Sequence, residues 1–141
     1  MPDSITIDID PAKTADYHGS ATSLPFEDST FDSVTALEIL EHLDWDDQMK
    51  AMSEMKRVLK PGGLLIVSVP NSSSFMVVPQ RLVWWIRERT TQRNYHWNGH
   101  THAHIGLIAP QELVSMLKWV GFRIVSARRL MLYDFMVVCI S

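Results

Sequence analysis

The sequence has one cysteine, no excess of positive charge and no long apolar run. The lone thiol, Cys139, cannot form an internal disulfide, which is typical of a reducing compartment. The net charge of −3 gives no basic footprint for nucleic acid. No apolar run approaches the roughly 18 residues that cross a bilayer, and the first ten residues do not resemble a signal peptide. The sequence therefore predicts a cytoplasmic protein with no transmembrane segment and no nucleic-acid partner.

The length and the apolar content are sufficient for one domain with a hydrophobic core, because 46% of the 141 residues are hydrophobic. Segments with strand and helix patterns alternate along the chain, which predicts an α/β fold. The sheet should be mainly parallel, and it should end in an antiparallel hairpin because no helix fits between the last two strands. The predicted strands are 4–10, a short one near 17–21, 33–40, 64–69, 122–130 and 133–140, and the main predicted helices are 44–60 and 110–121.

The helix predicted at 44–60 has a clear beginning and one apolar face. Asp44 is the candidate N-cap, because aspartate accepts a hydrogen bond from the first free backbone amides of a helix. Apolar side chains recur at spacings of three and four residues, which predicts that they face the core. They are Trp45, Met49, Met52, Met55 and Leu59.

The segment Lys-Pro-Gly-Gly at 60–63 could be a phosphate-binding loop or a tight turn. A phosphate loop has its glycines after a strand and before a helix, so that the helix N-terminus points at the anion. Here a helix precedes the glycines and a strand follows them. We therefore interpret the glycines as a helix-to-strand connector.

The region about 75–106 is interpreted as an insertion within a single domain 1–141. It contains an apolar helix at 79–89, which favours a dimer contact or a core position over lipid. A loop at 90–106 follows, with four histidines between His96 and His104. Histidines at this spacing could bind a metal, but no cysteine or carboxylate accompanies them, so we expect no metal and a loop beside the substrate.

Several short motifs occur in a fixed order: Leu-Pro-Phe at 24–26, Phe-Asp-Ser-Val at 31–34, Glu-His at 41–42, Arg-Val-Leu-Lys-Pro-Gly-Gly at 57–63 and Gly-Phe at 121–122. This ordered set resembles the class I S-adenosylmethionine-dependent methyltransferases, and among them the type 11 small-molecule branch. An ordered set is far more specific than a lone glycine motif. The resemblance implies a three-layer Rossmann-like sheet, S-adenosylmethionine as cofactor and methyl transfer to a small molecule.

The resemblance also assigns residues to the cofactor. It places Asp8, or alternatively Asp10, on the ribose hydroxyls, since a carboxylate can accept from both of them. Ser20 and Ala21 take the adenine position, where the family usually has an aspartate and then a small residue. Serine can still hydrogen-bond there without a charge. Leu24 would line the adenine pocket or the core.

Glu38 and His42 lie where the strand at 33–40 ends, and ligands of open α/β sheets bind at such strand ends. The resemblance places both side chains near the methionine part of the cofactor and the substrate. His42 is the candidate catalytic residue, because imidazole can take a proton from a hydroxyl or an amine. The alternative is that His42 caps or packs against the following helix.

One feature of the family is missing from the sequence, the first strand with its glycine-rich loop. The chain contains no Gly-x-Gly-x-Gly segment. We therefore expect an N-terminally truncated fold that binds the cofactor weakly or not at all. Its sheet should re-pair the strands 4–10 and 33–40, or bury its exposed edges in a homo-oligomer. The chain would then be a methyltransferase or a catalytically inactive interaction module.

Overall fold

The computed structural model describes residues 4–70, 108–130 and 134–141, so the predicted helix at 79–89 and the histidine-rich loop lie outside the described residues. The strands are β1 (Ile7–Asp8), β2 (Tyr17–His18), β3 (Phe31–Leu37), β4 (Leu59–Pro70), β5 (Arg123–Leu130) and β6 (Asp134–Ile140). The helices are α1 (Trp45–Val58), α2 (Pro110–Val120) and a 3-10 turn at Leu40–His42.

The strands form two sheets. The first consists of β1 and β2, which are parallel. The second has the strand order β3-β4-β6-β5. Strand β3 is parallel to β4, and β6 is antiparallel to both of its neighbours, β4 and β5. The α/β class and the C-terminal hairpin are thus confirmed, and the four-stranded sheet is mixed. The predicted re-pairing is wrong for the described strands, where β1 pairs with β2 and not with β3.

The core lies between the four-stranded sheet and the two helices. Alternate residues of β4 and β6 face the helices because side chains of a strand point to opposite sides in turn. Trp45, which the apolar pattern placed inside, is instead 54% exposed, so that expectation is wrong. The buried apolar side chains include Met52, Met55, Leu65, Val67, Leu113, Leu117, Val137 and Cys139.

Helix α1 begins and helix α2 ends as their sequences predict, whereas α1 ends at Val58, two residues earlier than expected, and the Lys-Pro-Gly-Gly segment lies within β4 instead of forming a separate connector. The Asp44 side chain accepts a hydrogen bond of 2.9 Å from the backbone amide of Asp47, and α1 begins at Trp45, directly after Asp44. Gly121 ends α2 in the left-handed region at φ 96°, where a glycine has no steric penalty. The Gly121 cap fixes where the chain turns towards β5.

An aromatic row links the two sheets. The rings of Tyr17 and Phe26 meet edge to face at 5.1 Å between centroids, and those of Phe26 and Phe31 at 4.9 Å. Because Tyr17 begins β2 and Phe31 begins β3, the row ties the small sheet to the large one. Such pairs contribute about 0.5–1.5 kcal/mol each beyond their buried area.

We expect alanine at Gly63 to lower the free energy of unfolding by about 2 kcal/mol. A Cβ atom there would lie 2.8 Å from the Lys60 carbonyl oxygen and 3.2 Å from that of Asp32, and backbone cannot move away easily. Urea denaturation measures the loss. The control is Gly62→Ala, where a Cβ meets nothing within 4 Å and only the φ of 77° is unfavourable, at about 1 kcal/mol. Equal losses would contradict the close-contact explanation.

Candidate functional site

The predicted site residues follow the carboxyl ends of three strands. Asp8 ends β1, Ser20 lies two residues after β2, and Glu38 directly follows β3. The carboxyl edge of parallel strands is where α/β folds bind ligands. The structure therefore places these side chains at the kind of edge that the sequence predicts.

Asp8 and the loop after β2 are joined by backbone and side-chain hydrogen bonds. One Asp8 carboxylate oxygen accepts from the Asp10 amide at 2.8 Å, and the Asp8 carbonyl accepts from the Gly19 amide at 3.0 Å. In the same loop the Ser20 hydroxyl lies 2.8 Å from that of Thr22 and accepts from its amide at 3.2 Å. Asp8 and Ser20 are both half-buried and belong to one turn cluster.

Ala21 and Leu24 lie against the side of the four-stranded sheet that the helices cover. Ala21 packs on the core. The Leu24 amide donates to Glu54 Oε2 at 2.8 Å, and its carbonyl accepts from Arg57 Nη2 at 3.1 Å. Hydrogen bonding to Arg57 lowers the pKa of Glu54, so this carboxylate remains charged. Helix α1 therefore sets the position of the predicted adenine-lining residue.

Glu38 adopts an unusual backbone conformation, with φ at 54°. Its amide donates to the Ser68 carbonyl at 3.1 Å, and the Ser68 hydroxyl donates to Glu38 Oε1 at 2.7 Å. Non-glycine residues in this region cost free energy and often occur at functional sites. The exposed Glu38 carboxylate is thus held beside the end of β4.

Glu41, the first residue of the Glu-His motif, is a buried carboxyl to which the sequence analysis assigned no role. It is only 1% exposed, and its Oε2 has no hydrogen-bond partner in the described part of the chain. Burial, with smaller contributions from the charge of Glu38, a hydrogen bond to the Glu38 side chain and the charge of Asp134, raises the pKa of Glu41 to about 7. The spacing of three residues between Glu38 and Glu41 was the available signal, because one turn can bring such a pair together.

His42 lies at the surface beside Glu41. Its side chain is 39% exposed, and its Nε2 is 3.8 Å from Glu41 Oε1, which is longer than a hydrogen bond. The described contacts give two groups, Asp8–Leu24 and Glu38–His42, and the catalytic role of His42 stays a prediction.

The side chains of the candidate site are chemically suited to part of S-adenosylmethionine. The Asp8 carboxylate suits a ribose diol, and the half-buried Ala21 and Leu24 offer apolar surface for a base. For the methionine end, the described residues provide Glu38 and no glycine-rich turn.

Comparison with known proteins identifies the motifs. The family model described as "Methyltransferase domain" matches residues 5–67. A Mycolicibacterium smegmatis protein named "Probable S-adenosylmethionine-dependent methyltransferase" is 45% identical over 58 residues, which are 41% of this chain and 22% of that protein. The demethylmenaquinone methyltransferase of Staphylococcus haemolyticus is 49% identical over 49 residues, 35% of this chain and 20% of the enzyme. The chain thus spans about a fifth of the length of the curated relatives it matches.

Solved structures share the fold over most of the chain. A methyltransferase from Methanosarcina mazei, titled as S-adenosylmethionine-dependent, superposes with a TM-score of 0.67 at 21% identity, over 96% of this chain and 80% of that one. A methyltransferase from Aquifex aeolicus superposes with a TM-score of 0.58 at 17% identity, over 87% of this chain and 52% of that one.

The fold is that of a Rossmann-like methyltransferase. Residues 5–67 are similar to S-adenosylmethionine-dependent methyltransferases, as the ordered motifs predict. Among the described residues no helix is long and apolar enough to cross a membrane.

Proposed function

We propose that this chain is a cytoplasmic S-adenosylmethionine-dependent methyltransferase domain that acts on a small molecule. The observation that carries the proposal is the match of residues 5–67 to a methyltransferase domain, with its polar residues at the carboxyl edge of the strands. The lone buried Cys139 supports a reducing compartment. The acceptor is unidentified.

In this proposal the residues mainly bind and orient. Asp8 accepts from the ribose hydroxyls, Ser20 hydrogen-bonds the adenine, and Ala21 and Leu24 pack on it. The chemistry supplied by the cofactor, when bound, is a methyl group on a positively charged sulfur. Displacement at such a carbon needs alignment more than acid catalysis, and alignment can contribute ~7–11 kcal/mol.

Glu38 and His42 act at the acceptor end. Glu38 is held in place by Ser68, so its carboxylate can orient the methionine part or the acceptor. His42 is exposed enough to reach an acceptor and can take the proton that a hydroxyl or amine loses during methylation.

Removing the Asp8 carboxylate should weaken cofactor binding at least tenfold, because it removes the ribose acceptor. Isothermal titration of the chain and of Asp8→Ala with S-adenosylhomocysteine measures this. Asp10→Ala is the matched control, because it removes a carboxylate two residues away that accepts a hydrogen bond from the Ala12 amide at 2.9 Å. A larger loss with Asp10→Ala would transfer the ribose role to Asp10.

A second candidate is a catalytically inactive interaction module that forms a homo-oligomer. The exposed apolar side chains of Ile9 (66%), Leu37 (52%) and Ile39 (37%) favour it, because a second copy could cover them. Absence of cofactor binding in the titration would favour this candidate, and sedimentation of the same sample as a monomer would contradict it.

A further inference from the structure

Helices α1 and α2 leave a groove between them at the surface, with a volume of about 440 Å³. The side chains that line it come from the first turns of α1 and from one stripe along α2, where they recur at spacings of three and four residues as on a single helix face. They include Trp45, Asp46, Met49, Glu112, Met116 and Trp119. None of the residues assigned to the candidate methyl-transfer site lines this groove.

The two tryptophans of the groove are open to solvent. Trp45 is 54% exposed and Trp119 is 79% exposed, whereas Met116, one turn before Trp119, is only 3% exposed. The groove therefore has a buried apolar floor and indole rings at its walls. A single exposed apolar side chain is ordinary, but two indoles on one concave surface indicate a place where a ligand binds.

The groove is also negatively charged. Asp46 and Glu112 line it, and no lysine, arginine or histidine does so within the part of the chain that the structure describes. One Glu112 oxygen accepts a long hydrogen bond of 3.4 Å from the Ala109 amide. Lys50 lies one turn after Asp46, but its ammonium bonds to Asp47 at 3.1 Å. The two carboxylates therefore favour a positively charged ligand and repel an anion such as phosphate.

The remaining side chains of the groove determine which kind of cation fits. A small divalent metal ion takes oxygen ligands on most sides, whereas indole rings and methionine side chains supply much of the surface here. Indole is the aromatic group that attracts cations most strongly, and methionine adapts its shape to apolar neighbours. A cation whose charge is spread over methyl groups suits such walls, because it needs no hydrogen-bond acceptor on each side.

The volume of the groove lies within the range of about 300–1,000 Å³ that is typical of small-molecule sites. We propose that the groove between α1 and α2 binds a small quaternary ammonium ion. Its methyl groups lie against Trp45 and Trp119, and its charge lies beside the carboxylates of Asp46 and Glu112.

Choline and its neutral isostere, the alcohol that has carbon in place of the choline nitrogen, test this proposal because they differ in charge and hardly in shape. Each is titrated into the isotope-labelled chain while the indole N–H signals are followed by NMR, with Trp45→Phe and Trp119→Phe assigning the two signals. We expect choline to shift both signals with a millimolar or lower Kd, and the alcohol to bind at least fivefold more weakly. The titration contains no cofactor, so its failure would leave the proposed methyl transfer standing.

Trp119→Leu should weaken choline binding about fivefold, because leucine is apolar but has no ring face, whereas Trp119→Phe should keep most of the affinity. Position 119 is exposed, so neither variant disturbs the core, and circular dichroism checks this. Asp46→Asn and Glu112→Gln should each weaken binding about threefold. Glu27→Gln removes a carboxylate from an exposed position outside the groove and should leave binding unchanged.

Equal affinity for choline and the neutral alcohol would overturn the proposal, and so would unshifted indole signals at high millimolar choline. A further contrary result would come from sedimentation, if the chain is a dimer that Trp119→Leu converts to a monomer. A second copy of the chain would then occupy the groove.

Discussion

Replacing Arg57 with alanine is expected to lower the melting temperature by about 10 °C. The guanidinium joins α1 to the loop before β3 through a network of bonds. It contacts Glu54 at 2.7 and 2.8 Å, Asp28 at 2.7 Å and the carbonyls of Phe26 and Leu24 at 2.8 and 3.1 Å. Truncation leaves these acceptors unpaired, and losing one partner of a hydrogen-bonded network costs more than the network's net contribution.

The matched control is Lys60→Ala. Lys60 also forms an ion pair, between β4 and β3, with Asp32 at 2.8 Å, but the two side chains are 46% and 87% exposed. Exposed pairs contribute little, so the expected change is below about 2 °C. Thermal unfolding followed by circular dichroism compares the two variants. Equal shifts would mean that Arg57 acts only as a surface charge.

Arg57 also explains why two motifs of the sequence occur together. Leu-Pro-Phe at 24–26 and the segment beginning at Arg57 are about 30 residues apart, and the sequence alone gave no physical reason for their pairing. In the structure the Arg57 side chain binds the carbonyls of that first motif. The pairing is therefore structural, and it places Leu24 at the candidate site.

Local signals predicted the elements well. Asp44 and Gly121 mark helix ends because their effect depends only on neighbouring backbone. The parallel pairing of 33–40 with 64–69 followed from the alternation of strands and helices. The prediction that Trp45 is buried was wrong because helical spacing identifies one face of a helix but does not show how far the sheet beneath that face extends. At the start of α1 the indole is 54% exposed.

The candidate site was predicted only in part. Glu38 and His42 were found because they follow a strand and resemble a motif. Glu41 was given no role. A glutamate is normally solvated, and nothing in the local sequence shows that the 3-10 turn buries it. The turn packs against β4, which is distant in sequence.

The stability of this protein should fall as the pH rises from about 5 to about 8, and Glu41 should be a main cause. The folded chain keeps the proton on Glu41 until the pKa of about 7, whereas the unfolded chain loses it near 4.5. The folded state therefore binds more protons in this window, so raising the pH favours unfolding, by about 3 kcal/mol when the window is complete.

Glu41→Gln removes the titrating proton while nearly preserving shape. The amide introduces its own unpaired hydrogens, so the informative quantity is the change in free energy of unfolding between pH 5 and pH 8, measured by urea denaturation without divalent cations. This change should be about 3 kcal/mol smaller in Glu41→Gln than in the wild type. Glu27→Gln removes the same charge from an exposed position and should keep the wild-type pH dependence. An unaltered pH dependence in Glu41→Gln would show that the buried carboxyl is ionised in the folded protein, which would require a positive partner for its Oε2.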